Sequence, residues 1–205
     1  HSFTPVFEGF ARPWLYGVLH REDSRLADRV LGLLQQEFGD SVGDNQPYSG
    51  QLEEVGLENF TMEFPTRAYQ GHFTEDGFNG IWMDGVWNSW IRNVTIHNCE
   101  SGAMIERSAF CTADGVQLTA ATANRYNTNG TYYTGHHGIQ LRRSDDCMVS
   151  NFGLQTRFYH DLTVEDATGS VFMKGSGVAL NFDHHTYIPY ENLYTEIDSG
   201  TGTRH

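Results

Sequence analysis

The chain has 205 residues, enough for one domain with a sizeable hydrophobic core. Its 13 lysine and arginine residues against 26 aspartate and glutamate residues give a formal net charge of −13, which disfavours nucleic acid and anionic membrane surfaces as partners. No apolar run is long enough to span a bilayer. Because of the net charge and this absence together, we expect neither nucleic acid nor a membrane among its partners.

Residues 1–50 differ in pattern from the rest of the chain. An amphipathic helix is predicted near residues 24–38, because apolar side chains recur there at helical spacing and Gly39 suits its end. The residues of this apolar stripe are Leu26, Val30, Leu33, Leu34 and Phe38. We therefore predict two regions, an N-terminal segment over 1–50 with one helix and a different structure over 51–205.

From Gln51 onward, short runs of alternating apolar and polar residues are separated by turn residues, which is the pattern of short β-strands. The runs form two interleaved series with nearly constant spacing. They begin at Asn79, Ser101, His137, His160 and His184 in the first series, and at Asn93, Gly115, Asn151, Gly175 and Asn192 in the second. Both series contain the same irregular step of 36 residues, which one insertion, Ala121 to Thr134, explains.

Such a repeat indicates a solenoid of coils of about 22–24 residues, stacked so that parallel strands share one core. Two neighbouring inward-facing columns are predicted. One is Ile81, Ala103, Ile139 and Leu162, and the other is Met83, Ile105, Leu141 and Val164. The asparagine and glycine residues that start the second series suit a corner in the left-handed conformation. We predict an all-β fold, a parallel β-helix, with a β-propeller as the alternative.

The coils resemble the pectin lyase-like superfamily of right-handed parallel β-helices, through residues 90–98, 113–118 and 138–151. The resemblance covers residues 52–198. It implies a right-handed helix and, in most members, cleavage of a polysaccharide by a lyase or a glycoside hydrolase. Other members are adhesins or tailspikes. The motifs of polygalacturonase-like and pectate lyase-like enzymes are not reproduced, so no subfamily is assigned.

The chain begins at His1 and ends in a glycine-rich stretch, so we interpret it as a fragment of a longer protein. No signal peptide is visible in this fragment. The superfamily resemblance implies a secreted or cell-surface protein. Its oligomeric state stays open.

The strongest candidates for catalysis are three histidines that share one predicted column, His137, His160 and His184. Stacked coils would bring their rings within about 5 Å of one another. Histidine transfers protons near neutral pH, and a neighbouring carboxylate such as Asp161 or Asp183 would orient it. The alternatives are a column of polar corner residues and a transition-metal site.

The residues beside this column are predicted to hold the sugar chain. Aromatic faces suit sugar rings, and arginines pair with uronate carboxylates. Arg142 is assigned to the catalytic set for this reason, and the predicted substrate-binding residues are Trp82, His136, Arg143, Tyr187 and His185. Trp82 and Tyr187 would share one outward column. The alternative for Arg142 is a charge ladder in which it bridges Glu106 and Glu165. The tyrosine-rich insertion would form a wall over the groove.

The function favoured by these patterns is an extracellular lyase that cleaves a uronate-containing polysaccharide by β-elimination. The alternatives are a glycoside hydrolase that uses aspartate or glutamate on the same solenoid, and a non-catalytic glycan-binding β-helix. No metal ligand is assigned from the sequence, and Ca²⁺ stays an open option for a cofactor.

Cys111 and Cys147 are separated by the same step of 36 residues as the inserted coil. We therefore predict that they stack in neighbouring coils, in contact but without a disulfide bond.

Overall fold

The computed structural model describes residues 52–128 and 130–202. The predicted N-terminal segment, 1–50, with its helix near 24–38, lies outside the described residues, so the helix and the boundary at residue 51 stay predictions. Within the described part, the helical structure is one 3₁₀ turn, Thr122–Asn124. No helix of these residues is long and apolar enough to cross a membrane.

Short β-strands carry the fold of the described region. In chain order they are β1 (Leu52–Glu53), β2 (Gly56–Glu63), β3 (Asn79–Asp84), β4 (Val86–Trp87), β5 (Trp90–His97), β6 (Ser101–Glu106), β7 (Thr112–Asp114), β8 (Gln117–Thr119), β9 (Tyr126–Thr128), β10 (Thr131–Tyr133), β11 (Gly135–Arg142), β12 (Met148–Ser150), β13 (Gly153–Leu154), β14 (Phe158–Glu165), β15 (Val171–Met173), β16 (Ser176–Gly177), β17 (Phe182–His184) and β18 (Leu193–Thr195).

Five of these strands form a parallel sheet, here called the front sheet, in the order β17, β14, β11, β6 and β3. Ile81, Ala103, Ile139 and Leu162 stack in register, and so do Met83, Ile105, Leu141 and Val164. All eight side chains are buried, because alternation turns every second residue of each strand into the shared core. The predicted parallel strands and both inward columns are confirmed.

The second sheet is also parallel and divides into two stacks beyond β5. The N-terminal half of β5 continues through β7, β12, β15 and β18, whereas its C-terminal half continues through β8, β13 and β16. Together with the front sheet, a complete coil thus supplies strands to three stacks around one core. This parallel arrangement excludes the antiparallel blades of a propeller.

The bend between the two stacks requires a left-handed residue in each coil. The prediction is right for Asn93, Gly115 and Asn151. In the next two coils the left-handed residues are Lys174 and Glu196. The predictions for Gly175 and Asn192 are therefore wrong. Gly175 lies where any Cβ would meet the Phe152 ring, and Asn192 uses its side chain to bind the backbone of the preceding coil.

The predicted insertion lies in one coil and has its own structure. Hydrogen bonds that join successive coils span 22, 36, 23 and 22 residues, so one step is longer than the rest. The extra residues form the 3₁₀ turn and an antiparallel hairpin of β9 and β10. The insertion between Ala121 and Thr134 is confirmed.

Cys111 and Cys147 meet inside the core where two coils stack. Each cysteine directly precedes a residue of the Thr112–Met148 register pair, both are buried and free, and the Met148 amide donates a hydrogen bond to the Cys111 carbonyl. The predicted contact without a disulfide bond is confirmed, and it fixes the register across the insertion.

Candidate functional site

Five histidines lie together beside the front sheet, and we call them the histidine cluster. His136 and His137 belong to β11, His160 belongs to β14, His185 directly follows β17, and His72 lies in the segment before β3. Parallel pairing of β11 with β14 places His137 next to His160, as predicted, with 5.1 Å between their ring centroids.

The rings of the histidine cluster are close enough to act as one group. The His136 ring lies 4.1 Å from both the His72 ring and the His137 ring, measured between centroids. The His160 ring lies 5.4 Å from His136 and 5.2 Å from His185. The cluster therefore presents five imidazoles within the reach of one small ligand.

One carboxylate, Asp183, holds two of these imidazoles. Its Oδ2 lies 2.8 Å from Nδ1 of His160 and 3.2 Å from Nδ1 of His185. Burial favours a higher pKa for Asp183, but the close His160 imidazole and the other neighbouring imidazoles outweigh it and lower that pKa. The ionised carboxylate favours a proton on each Nδ1, which leaves Nε2 of both rings available for chemistry.

A second carboxylate, Glu75, holds the opposite side of the cluster. Its Oε1 lies 3.4 Å from Nδ1 of His136 and accepts a hydrogen bond of 2.8 Å from the Tyr69 hydroxyl. Burial opposes ionisation of Glu75, but the Tyr69 hydrogen bond and other hydrogen bonds outweigh it and lower the pKa of the carboxyl. Burial also raises the pKa of Tyr69, so this hydroxyl stays a donor.

Burial keeps three of the imidazoles neutral. It lowers the pKa of His136 to about 4 and that of His137 to about 3, and it lowers the pKa of His72. His137 is therefore a weak base although it lies in the cluster, and its Nδ1 is 3.4 Å from Oγ1 of Thr163. Its predicted catalytic role stays a prediction.

Aromatic side chains border the cluster on the side of the inserted hairpin. The Tyr133 ring stacks on Tyr159 with 4.1 Å between centroids, and the Tyr159 ring lies 4.9 Å from His72. Phe73 is 81% exposed, and its ring lies 3.7 Å from His72. The exposed Phe73 ring beside polar groups suits the face of a sugar ring.

The carboxylate at His160 is Asp183 and not Asp161. Asp161 is buried, and its two oxygens accept hydrogen bonds from the backbone amides of Phe158 and Asn181. This arrangement fixes the start of β14, and the predicted catalytic role of Asp161 stays a prediction.

His184 lies outside the cluster, so the predicted histidine column is wrong at its third member. The register of β14 and β17 pairs His184 with Val164, and its ring lies 5.8 Å from Tyr194. Alternation then turns its neighbour His185 towards Asp183. His185, predicted only to bind substrate, takes the place assigned to His184.

Arg142 forms the charge ladder that was the alternative to its catalytic role. Its Nη1 lies 3.4 Å from Oε1 of Glu106, and its Nε lies 3.1 Å from Oε2 of Glu165. Both glutamates are buried. Because two buried carboxylates already engage the guanidinium, Arg142 is poorly placed to neutralise a substrate carboxylate.

Three predicted substrate-binding residues lie away from the histidines. Trp82 lies in β3 at the far edge of the front sheet, Arg143 in the left-handed turn after β11, and Tyr187 in the turn after β17. Asp183, paired with Thr163, occupies the column position predicted for Tyr187. In the described part of the chain, no ring contact or ion pair joins these three residues to the cluster, and their roles stay predictions.

Residues 64–78, which precede the first strand of the front sheet, also contribute to the histidine cluster, and the sequence patterns did not predict this. The buried Glu100 carboxylate accepts backbone amides of Asp76, Gly77 and Phe78 at 2.7–3.0 Å and so holds this segment in place. The segment brings His72 and Glu75 to the cluster. The density of aromatic and titratable residues over 69–75 was the available signal.

The cluster also contains two overlapping sets of potential metal ligands. In each set the ligand atoms all lie within 4.8 Å of one another. One set is His72, His136 and His160, and the other is His160, Asp183 and His185.

Comparison with known proteins agrees with the fold of this region. A family model described as "Right handed beta helix region" matches residues 66–188. No curated protein and no solved structure matches the chain.

Proposed function

This chain belongs to the right-handed β-helix family, and from that membership and the histidine cluster we propose that it is a secreted or cell-surface enzyme that cleaves a polysaccharide. The reaction proposed is β-elimination on a uronate-containing glycan. The observation that carries the proposal is the contact of Asp183 with both His160 and His185, beside an aromatic surface. The fold fits the pectin lyase-like superfamily, in which such enzymes are common.

His185 is the base in this proposal. Its side chain is 42% exposed, against 22% for His160, so it is the more accessible of the two imidazoles on Asp183. With the proton held on Nδ1, Nε2 removes the proton α to the uronate carboxyl group. The carbon–oxygen bond to the leaving sugar breaks as the carbon–carbon double bond forms. The imidazolium then returns its proton to the departing oxygen.

The aromatic border supplies the binding surface in the same proposal. Phe73, which is exposed beside the cluster, offers a ring face on which a sugar ring can stack, whereas Tyr133 and Tyr159 stack on each other and form a wall beside it. Arg142 does not take part, because Glu106 and Glu165 engage it. The substrate carboxylate therefore needs a different neutralising group.

The test is incubation of the purified chain with a panel of uronate-containing and neutral glycans. A lyase gives absorbance near 235 nm, from the new double bond, together with new chain ends. New reducing ends without this absorbance would show a hydrolase and contradict β-elimination. If the chain binds a glycan but releases no product, it is a binding module, and the proposed enzymatic activity is contradicted.

A further inference from the structure

We propose that His72, His136 and His160 bind a divalent transition metal ion, with Zn²⁺ as the probe, and that this ion neutralises the substrate carboxylate. The site stands on the geometry of the three imidazoles alone. Its role in the reaction rests on the proposed function. The three ligand atoms lie within 4.8 Å of one another, and small ring rotations would bring them to the distances around one ion.

Carboxylates behind two of the rings support this assignment. Asp183 lies 2.8 Å from Nδ1 of His160, and Glu75 lies 3.4 Å from Nδ1 of His136. Histidines that bind metal ions commonly donate their other nitrogen to a carboxylate, which fixes the tautomer and strengthens the ligand. Three separate strands and one loop supply this arrangement twice, on neighbouring rings.

The third ring has a nitrogen that lacks a partner. Nδ1 of His72 is buried and makes no hydrogen bond within the described part of the chain. A buried nitrogen without a partner costs free energy, and coordination of a metal ion removes this cost. The His72 ring lies against His136, with 4.1 Å between the ring centroids, so a shared ion could engage both rings.

The set of three imidazoles is favoured over the overlapping set that contains Asp183 and His185. Oδ2 of Asp183 already lies near Nδ1 of both His160 and His185, so an ion there would displace two protons. Imidazole nitrogens select zinc and similar ions, whereas calcium prefers oxygen ligands. The site therefore differs in kind from a carboxylate calcium site.

Three protein ligands leave an open position on the ion, as in catalytic zinc sites. A uronate carboxylate oxygen could occupy this position, and the positive charge would acidify the α proton. His185 lies beside the site, with 5.2 Å between its ring centroid and that of His160. The reaction needs no electron transfer, because the ion acts only as a Lewis acid.

The binding test uses the full chain, stripped with a chelator and titrated with Zn²⁺ in a calorimeter, with metal content measured independently. We expect one ion per chain, and a loss of affinity of at least tenfold in His72→Ala and His136→Ala. Glu75→Gln should weaken binding about 10-fold to 100-fold, since the carboxylate only orients a ligand. His184→Ala is the matched control, and its affinity should equal that of the wild type.

Unchanged affinity in folded His72→Ala and His136→Ala would overturn the site. Loss of affinity confined to His185→Ala and Asp183→Asn would also overturn it, because the ion would then occupy the other set. Melting temperatures of all variants separate loss of a ligand from loss of fold.

The role of the ion is tested on a glycan that the chain cleaves. Turnover should fall on removal of the metal ion and return with Zn²⁺. Turnover that is independent of bound Zn²⁺ would overturn this role but leave the proposed function intact. Zn²⁺ binding at the three imidazoles without cleavage of any glycan would support the site and contradict the proposed function.

Discussion

Asp183 and His160 meet across two neighbouring strands of the front sheet, with 2.8 Å between Oδ2 and Nδ1. The same oxygen lies 3.2 Å from Nδ1 of His185, so one carboxylate oxygen lies beside two imidazoles. In Asp183→Asn, an amide that also donates hydrogen bonds would disturb both rings. We expect turnover to fall 10²-fold or more, the usual scale for a misplaced acid or base, with little change in melting temperature.

Asp161→Asn is the contrasting change, because this carboxylate binds backbone amides. The buried oxygens accept from Phe158 and Asn181, and the amide of the variant can satisfy only one of these two donors. We expect the free energy of unfolding to fall by about 1–3 kcal/mol, with the turnover of the remaining folded protein unchanged. Denaturant unfolding and a kinetic assay on the same sample measure both. A large loss of turnover at full stability would return Asp161 to the catalytic set.

Arg142→Ala should act on stability more than on turnover. The change removes the shared partner of the buried Glu106 and Glu165. Since Arg107 and Gln140 still reach them, we expect a loss of about 1–3 kcal/mol. Arg143→Asn is the control, since asparagine tolerates the left-handed backbone there and the predicted loss of stability is small. If Arg142→Ala instead raises KM for an acidic glycan at unchanged melting temperature, Arg142 binds the substrate carboxylate after all.

Asp145 should make stability depend on pH. Burial and the charges of Asp146 and Asp166 raise its pKa to about 6 in the folded protein. The folded state therefore favours the neutral carboxyl. The stability that the neutral Asp145 carboxyl contributes is fully present below about pH 4 and is lost as the pH rises through about 6. The melting temperature of Asp145→Asn, measured relative to that of the wild type, should therefore increase as the pH rises from about 4 to about 7. Glu53→Gln, on an exposed residue, should show no such gain. Parallel pH profiles of Asp145→Asn and the wild type would contradict this.

The sequence predicted the parallel coils because alternation and repeat length both follow from backbone geometry. Ile81, Ala103, Ile139 and Leu162 were assigned correctly across an insertion, since both series of strands carried the same long step. The register failed in the last coil, where His184 was matched to His160 by residue type. Phe182 pairs with Leu162 and continues the buried column. Because side chains alternate along a strand, Asp183 and His184 then lie on opposite sides of the sheet.

The candidate site was only partly predictable for a different physical reason. His136, His137 and His160 lie on repeating strands, so their proximity followed from the spacing of the coils. His72 and Glu75 reach the cluster through a loop without a repeat, which Glu100 fixes by hydrogen bonds to backbone amides. Those contacts depend on tertiary folding and leave no periodic signal in the sequence.

We propose the histidine cluster as the reacting centre of a glycan-cleaving enzyme. The most direct test compares the turnover of His185→Ala with that of His184→Ala on one uronate glycan, at equal folded concentration. The two histidines are adjacent in sequence, but only His185 contacts Asp183. We predict a loss of 10²-fold or more for His185→Ala and less than about twofold for His184→Ala. Equal turnover in both variants, at wild-type level, would contradict the claim.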